Sequence, residues 1–497
     1  MECLNFFAGL KPHPHVAWDL SHGEFKFFRG AKAPPTGLIG ESDRCVYMFR
    51  FSFLIFFMCA SVFAQASSVR QLTLHETIQL AIDNDPWQAG NQLEKQALES
   101  QSMAADTLPD PVLSMGLLNL PTNGFAFDQE AMTQMKVGIA QQFPRGDSRG
   151  IRKRQLQQLA AKYPYLAKDR EAQVAVTVSQ LWLDGFAAQL SMQLLQQERG
   201  LFEQLEKTVE SQYSSAQKRT SQGDVIRANL EISRLQDRLT QLQSDKETAI
   251  AALQQWISDD TNESENLSTV EFVNRSATVD YLSELAVFEN AVFDRQRFAQ
   301  MLSTHPAVLA LEQTILAGQV GVTLEQQKYQ PQWGVNASYA FRADDQAGQS
   351  RADFFSIGVS VDLPLFTHQR QDKSVQAAKY RAEALKTEKR LLLRNMLAQL
   401  DALLTQRQRL TDRLANYDQT ILPQMHEQAE ATLTAYTNDS GDFAEVMRAR
   451  IAELNARLER VVIETKKLKV NAHLAYFLEN SSSPATESQS HNFGEQP

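Results

Sequence analysis

Residues able to do chemistry are scattered along this chain rather than grouped. His75, His305, His368 and His426 stand far apart and read as surface or capping residues. There is no Gly-x-Ser-x-Gly, no Walker loop and no His-Glu-x-x-His, so acyl transfer, nucleotide hydrolysis and zinc-assisted hydrolysis lack their motifs. The three cysteines, Cys3, Cys45 and Cys59, all fall in the first sixty residues. A mature chain starting beyond them has no disulfide, thiolate nucleophile or cysteine-ligated metal. Met103, Met115, Met132 and Met135 carry thioethers suited to soft metals. Met115 and Met135, however, sit on the oily positions of alternating segments, which favours packing. Asp224 follows Gly223 and Asp442 follows Gly441 at two polar turns, where a carboxylate suits a helix N-cap. The expectation is no enzyme, no cofactor and no metal centre.

Composition narrows the class further. The chain has 497 residues, 43% hydrophobic and 22% charged, with a net charge of −10. It is not a disordered polymer, and it lacks the basic face that nucleic acid requires. Mean hydropathy is −0.36, and the only stretch apolar enough to suggest a membrane helix lies near the N-terminus. A polytopic helical transporter is excluded. Residues 48–66, MFRFSFLIFFMCASVFAQA, read as a signal peptide: Arg50, an apolar run from Phe51 to Phe63, then Ala64-Gln65-Ala66 before Ser67. A membrane anchor, or lipidation at Cys59, is the lesser alternative. Residues 1–47 precede Met48, a natural start, and are expected to be a disordered or mis-annotated extension. The exported chain is then periplasmic, external or in the outer membrane.

An internal repeat organises the remainder. Asn84-Asp85-Pro86 pairs with Thr304-His305-Pro306, Asp110-Pro111 with Gln330-Pro331, and Phe143-Pro144 with Leu363-Pro364, each 220 residues apart. Gly223-Asp224 pairs with Gly441-Asp442 at 218. The reading is one repeat over 67–256, a linker over 257–280, a second repeat over 281–479 and a disordered tail over 480–497. Each repeat opens with a helix, 73–107 and 283–328. Segments of period two follow, at about 110–120 and 132–144, then at about 332–342 and 353–366. In the last, Phe355, Ile357, Val359, Val361 and Leu363 alternate with Ser356, Gly358, Ser360 and Asp362. A helix of some 66 residues, roughly 100 Å at 1.5 Å per residue, starts at about 150 and again at about 369. Pro164 and Pro423 are expected to kink these two. A coiled-coil helix closes each repeat, with seams Val225, Ala228, Ile232, Leu235, Leu239 and Met447, Ile451, Leu454, Leu458, Val461.

Four half-oily strands of about ten residues fit the outer-membrane barrel signature. Unpaired backbone groups in lipid cost several kcal/mol each, so a barrel there has no free edge. Barrels from one chain need about eight strands. If these strands lie in lipid, several chains must share one wall.

This order of elements resembles the TolC-type outer-membrane efflux factors over about 70–480. The resemblance rests on the 220-residue duplication, the strand endings QQFP (141–144) and VDLP (361–364), and the turn Tyr436-Thr437-Asn438-Asp439-Ser440-Gly441-Asp442-Phe443. LPDPVLSMGLLNLP (108–121) with DQEAMTQ (128–134) is most similar to the heavy-metal efflux branch. The implied fold is mainly α, with long antiparallel coiled-coil helices forming a tunnel and four strands contributed to a shared twelve-stranded barrel. The implied protein is a homotrimer in outer-membrane lipid with its helices in the periplasm. It docks on a periplasmic adaptor (membrane fusion protein) and an inner-membrane resistance-nodulation-division pump. Its role is a passive gated exit duct for metal cations, drugs or secreted polypeptides. The family's pattern of a tyrosine with acids nine and twelve positions on falls on Tyr436, Glu445 and Arg448, the last a departure. In the first repeat Asp224 matches the acid and Arg227 the later position. Three copies of an acid around a narrow axis attract cations, with Arg227 and Arg448 as inter-helix links. The rival reading is an envelope coiled-coil protein without a pore.

Overall fold

A computed structural model describes residues 70–215, 221–258, 270–273, 294–438 and 440–479. The expected extension, signal peptide and tail lie outside the described residues. The opening helices are not continuous. The first divides into α1 (Leu74–Asp83) and α2 (Pro86–Ala105); the second is α6 (Arg295–Leu302) and α7 (Pro306–Gln326), with 283–293 outside the described residues. Proline forces both breaks, because the residue before it is driven out of the helical region. Asp85 and His305 then cap the new helices, accepting from Trp87 N at 3.1 Å and Ala307 N at 3.2 Å. α7 is long and apolar enough by composition to cross a membrane, which the sequence reading overlooked. It packs along neighbouring helices of the chain.

The strands are β2 (Val112–Leu118), β3 (Gln134–Phe143), β5 (Gln332–Phe341) and β6 (Phe354–Asp362), in one antiparallel sheet of order β2-β3-β5-β6. β2 and β5 start 220 residues apart, as do β3 and β6. The register puts like with like. Leu113, Ile139, Ala337 and Ile357 form one cross-strand row, and Met115, Val137, Tyr339 and Phe355 the next. Ser114, Gly138, Ser338 and Ser356 form a row on the opposite face. One face is therefore apolar and the other small or polar. On the single chain the apolar face is bare: Met115 is 73% exposed, Ile357 68% and Val359 63%.

Next come the long helices. α3 (Ser148–Ala160) and α4 (Tyr163–Ser214) are separated at Ala161–Lys162, just ahead of Pro164. α8 (Gln371–Asn416) and α9 (Leu422–Thr437) are joined by a π-turn, Tyr417–Ile421, ahead of Pro423. The two helices of some 66 residues are thus jointed where Pro164 and Pro423 were expected to kink them, each joint at a proline that cannot donate to the preceding turn. α5 (Gln222–Ile257) and α10 (Phe443–Leu478) have 36 residues each. α4 packs on α5 and α10, α9 on α10, and α8 on α7 and α10; α3 and α4 also cover α7. The predicted seam is buried, with Ala228, Leu235, Leu239, Met447, Leu454 and Leu458 in one cluster with Leu195, Phe202 and Val209 of α4.

The expected linker contains a strand. β4 (Val270–Phe272) pairs in parallel with β1 (Arg70–Leu72). Trp182 of α4 donates to Leu72 O at 3.1 Å, and Gln189 exchanges both backbone bonds with Phe272 at 3.0 and 2.9 Å. Gly185 permits this, since a Cβ there would lie 2.3 Å from the Phe272 ring.

Candidate gate at the helix turns

α4 runs towards the α4–α5 turn and α9 towards the α9–α10 turn, and a side-chain bond joins their ends. The Tyr436 hydroxyl donates to Gln212 Oε1 at 2.5 Å. Its ring lies 5.8 Å from that of Phe443, and both join the cluster that holds Val209 and Ala228. Gly441 makes the turn possible: a Cβ would meet the Tyr436 backbone nitrogen at 2.8 Å. Ser440 N and Asn438 N close the helix end on Ala435 O and Thr434 O.

The acids at the two turns occupy unlike positions. Asp442 caps α10, its carboxylate accepting from Ala444 N at 3.3 Å. Asp224 is not an N-cap. Ser221 caps α5, and Asp224 at the third helical position accepts from Ser221 N at 3.0 Å and Ser221 Oγ at 2.7 Å. This is a capping box, with a reversed hydroxyl bond added. Asp224 is buried, with Arg227 3.9 Å away on its own helix. Glu445 and Arg448 are exposed on the face of α10 that begins at Asp442. No hydrogen bond or ion pair occupies either side chain among the described residues. Acids at a helix start also gain from the helix dipole. Thus Tyr436 ties the two turns together, Asp224 and Asp442 serve their own helices, and Glu445 and Arg448 face outward.

Sequence reasoning missed a charged network two to four turns into α10. Arg450 bonds Glu430 of α9 at 2.5 Å and Glu453 at 2.9 Å. Arg457 bonds Glu453 at 2.5 Å and Glu198 of α4 at 2.7 Å. His426 Nδ1 lies 2.8 Å from Glu453. Burial pushes the Glu453 carboxyl up, but bonds from His426 and Arg450 and the charge of Arg457 outweigh it and leave it below the ordinary glutamate value. The spacing Arg450, Glu453, Arg457 gave no signal of its own, because charges three and four residues apart are ordinary on an exposed helix face. His305 is the capping residue among the four histidines rather than a surface one. It is 1% exposed, beside Tyr476, and burial pushes its ring below the ordinary histidine value. His75, His368 and His426 are exposed. Among the described residues no group of three His, Cys, Asp or Glu is placed to hold a metal. The contacts here join α4, α9 and α10 to one another.

The fold is shared with solved outer-membrane channels. The chain matches CusC, a protein studied for folding and transmembrane channel formation, at 15% identity and a TM-score of 0.63, covering 82% of this chain and 92% of that one. VceC of Vibrio cholerae matches at 14% and 0.65, covering 82% and 96%. The CmeC channel of Campylobacter jejuni matches at 14% and 0.62, covering 82% and 86%. No curated protein matches the chain by sequence at a significant level. Residues 298–478 do match the outer membrane efflux protein family. Residues 298–478 thus carry that family's sequence pattern, and the fold over most of the chain is that of the solved outer-membrane channels.

Proposed function

We propose that three copies of this chain form a passive, gated outer-membrane channel that carries cargo outward from the periplasm. The observation that carries this is the sheet β2-β3-β5-β6, with one apolar face exposed and its end strands β2 and β6 unpaired on one side among the described residues. Such a sheet in lipid needs its edges closed. Three copies supply twelve strands, above the roughly eight at which barrels close. The apolar rows then meet lipid and the Ser/Gly rows line a wet lumen. α4, at about 1.5 Å per residue over 52 residues, extends the wall by roughly 80 Å. The helices lie in the periplasm, where the two turns are the docking surface for an adaptor protein that links the duct to an inner-membrane pump of the resistance-nodulation-division type. Heavy-metal cations are the proposed cargo, a reading that rests on the similarity of LPDPVLSMGLLNLP (108–121) and DQEAMTQ (128–134) to the heavy-metal efflux branch. Glu445, three times around the axis, sets cation preference. Tyr436 and Arg448 help hold the end shut, with Asp224, Arg227 and Asp442 fixing the helix starts.

The test is reconstitution of the purified full chain in planar bilayers, with its mass determined in detergent. A trimer giving discrete cation-preferring conductance is expected. A water-soluble monomer without conductance would overturn the proposal.

A further inference from the structure

At the foot of the four-stranded sheet, where β3 enters α3, β5 begins and β6 leads to α8, lies a cavity of about 570 Å3. Two of its cations are already matched. Arg145 bonds the Lys328 and Gln330 carbonyls at 3.3 and 2.9 Å and pairs with Asp362. Lys328 lies 2.7 Å from Glu325. Arg370, also lining the cavity, has no partner for its guanidinium among the described residues. Ser374 lines it one turn further on, and the start of the 46-residue helix α8 adds the positive end of its dipole. Gln371 lines the same cavity at 6% exposure, and its Oε1 accepts no hydrogen bond. A buried acceptor left unpaired carries a desolvation penalty that a donor removes. The cavity therefore presents a free cation beside an acceptor that lacks a donor.

We propose that this cavity binds a small zwitterion. Its anionic oxygens, of a phosphate or carboxylate, pair with Arg370 and Ser374 at the helix start. Its ammonium donates to Gln371 Oε1. Asp362 belongs to the small or polar face of the sheet, so the ligand arrives from the lumen side. That direction rests on the channel reading, and it makes the cavity a cargo-contact station where tunnel meets barrel. A phosphoethanolamine headgroup carries the same chemistry from a lipid source.

The experiment is calorimetric titration of the purified full-chain oligomer in detergent with O-phosphoethanolamine and, separately, with inorganic phosphate. Phosphoethanolamine is expected to bind once per chain, at least tenfold more weakly in both Arg370→Ala and Gln371→Leu. Phosphate is expected to bind more weakly than phosphoethanolamine, to weaken further in Arg370→Ala and to be unmoved by Gln371→Leu. Absence of binding to the unaltered protein, equal binding by all variants, or equal affinity for the two probes would each overturn the site. Loss of solute binding in phosphatidylethanolamine nanodiscs, but not in phosphatidylcholine ones, supports the same site with the lipid headgroup as its source. Bilayer conductance of the same preparation separates the two claims: conductance without binding removes only the zwitterion site, whereas absence of conductance removes the channel reading.

Discussion

A lysine placed at Val359 is expected to block membrane assembly, while a lysine at its neighbour Ser360 is tolerated. The two residues are adjacent on β6 and point to opposite faces. Val359 pairs with Val335 on the apolar face, and Ser360 with Gly334 on the polar one. Val359 is 63% exposed on the single chain, so burial within the chain does not explain a defect there. A lysine on the lipid face near mid-bilayer costs about 2–4 kcal/mol. On the proposed channel reading, three copies in one barrel raise the penalty to about 6–12 kcal/mol per trimer, comparable with the net stability of a folded domain. At Ser360 the ammonium stays in a wet lumen, and only its fit beside Gly334 is at issue. The assay is the yield of heat-resistant trimer in the outer-membrane fraction on unheated gels. A large drop for Val359→Lys with near-normal yield for Ser360→Lys is expected. The reverse order, or equal yields, would refute the assignment of the two faces.

The turns and the charged network give further expectations. Gly441→Ala forces a Cβ to 2.8 Å from the Tyr436 backbone nitrogen, so a loss of about 1–3 kcal/mol is expected in chemical unfolding. Gly90→Ala, with open space around a helical site, should instead gain up to about 1 kcal/mol. Glu445→Ala should reduce cation over anion permeability in bilayers. Asp224→Ala should mainly lower stability, by about 1 kcal/mol, through its capping box. Unchanged selectivity in Glu445→Ala would remove the acidic ring. His305 is held below the ordinary histidine value by burial, so its contribution is complete above that value and is lost as pH falls towards the lower folded one. Unfolding midpoints measured from pH 7.5 down to 5.5 should fall for the unaltered protein and fall less for His305→Gln.

Much of the fold was legible because its signals are local and repeated. The strands expected at about 332–342 and 353–366 appear as Gln332–Phe341 and Phe354–Asp362. Period-two alternation is strong there, and Pro331 and Pro364 stand just outside both ends. The seam through Ala228, Leu235 and Leu239 was readable because a heptad persists across many turns. The misses share a different cause. Pro86 and Pro306 break the opening helices where good helix formers on both sides suggested continuity. β1 and β4 have three residues each and pair across about 200 positions, too few for any period to register. Ser221 lies among polar residues that all suit a cap, so only geometry distinguishes it from Asp224. The Arg450 network shows in sequence as the ordinary charge of a coiled coil. Its meaning depends on α9 and α4 closing over it.

That network bears on how the turn region could open. α9 is tethered to α10 through Glu430–Arg450, and α4 through Glu198–Arg457, with Glu453 common to both arginines. Glu453 has 5% of its side chain exposed and Arg450 8%, so removing one partner strands charge away from water. Such a loss typically costs about 3–5 kcal/mol; Arg457 and His426 remain for Glu453, which places Arg450→Ala nearer the lower end. The carboxyl is held below its ordinary value. Its contribution is therefore complete above the ordinary glutamate value and lost as pH falls through the lower folded one. If the network latches α9 to α10, Glu453→Gln should raise the open fraction of the reconstituted channel at neutral pH. Acidification below the ordinary glutamate range should then change gating in the unaltered protein more than in the variant. Identical gating at both pH values would leave the network a purely structural staple and return the latch to Tyr436 and Gln212.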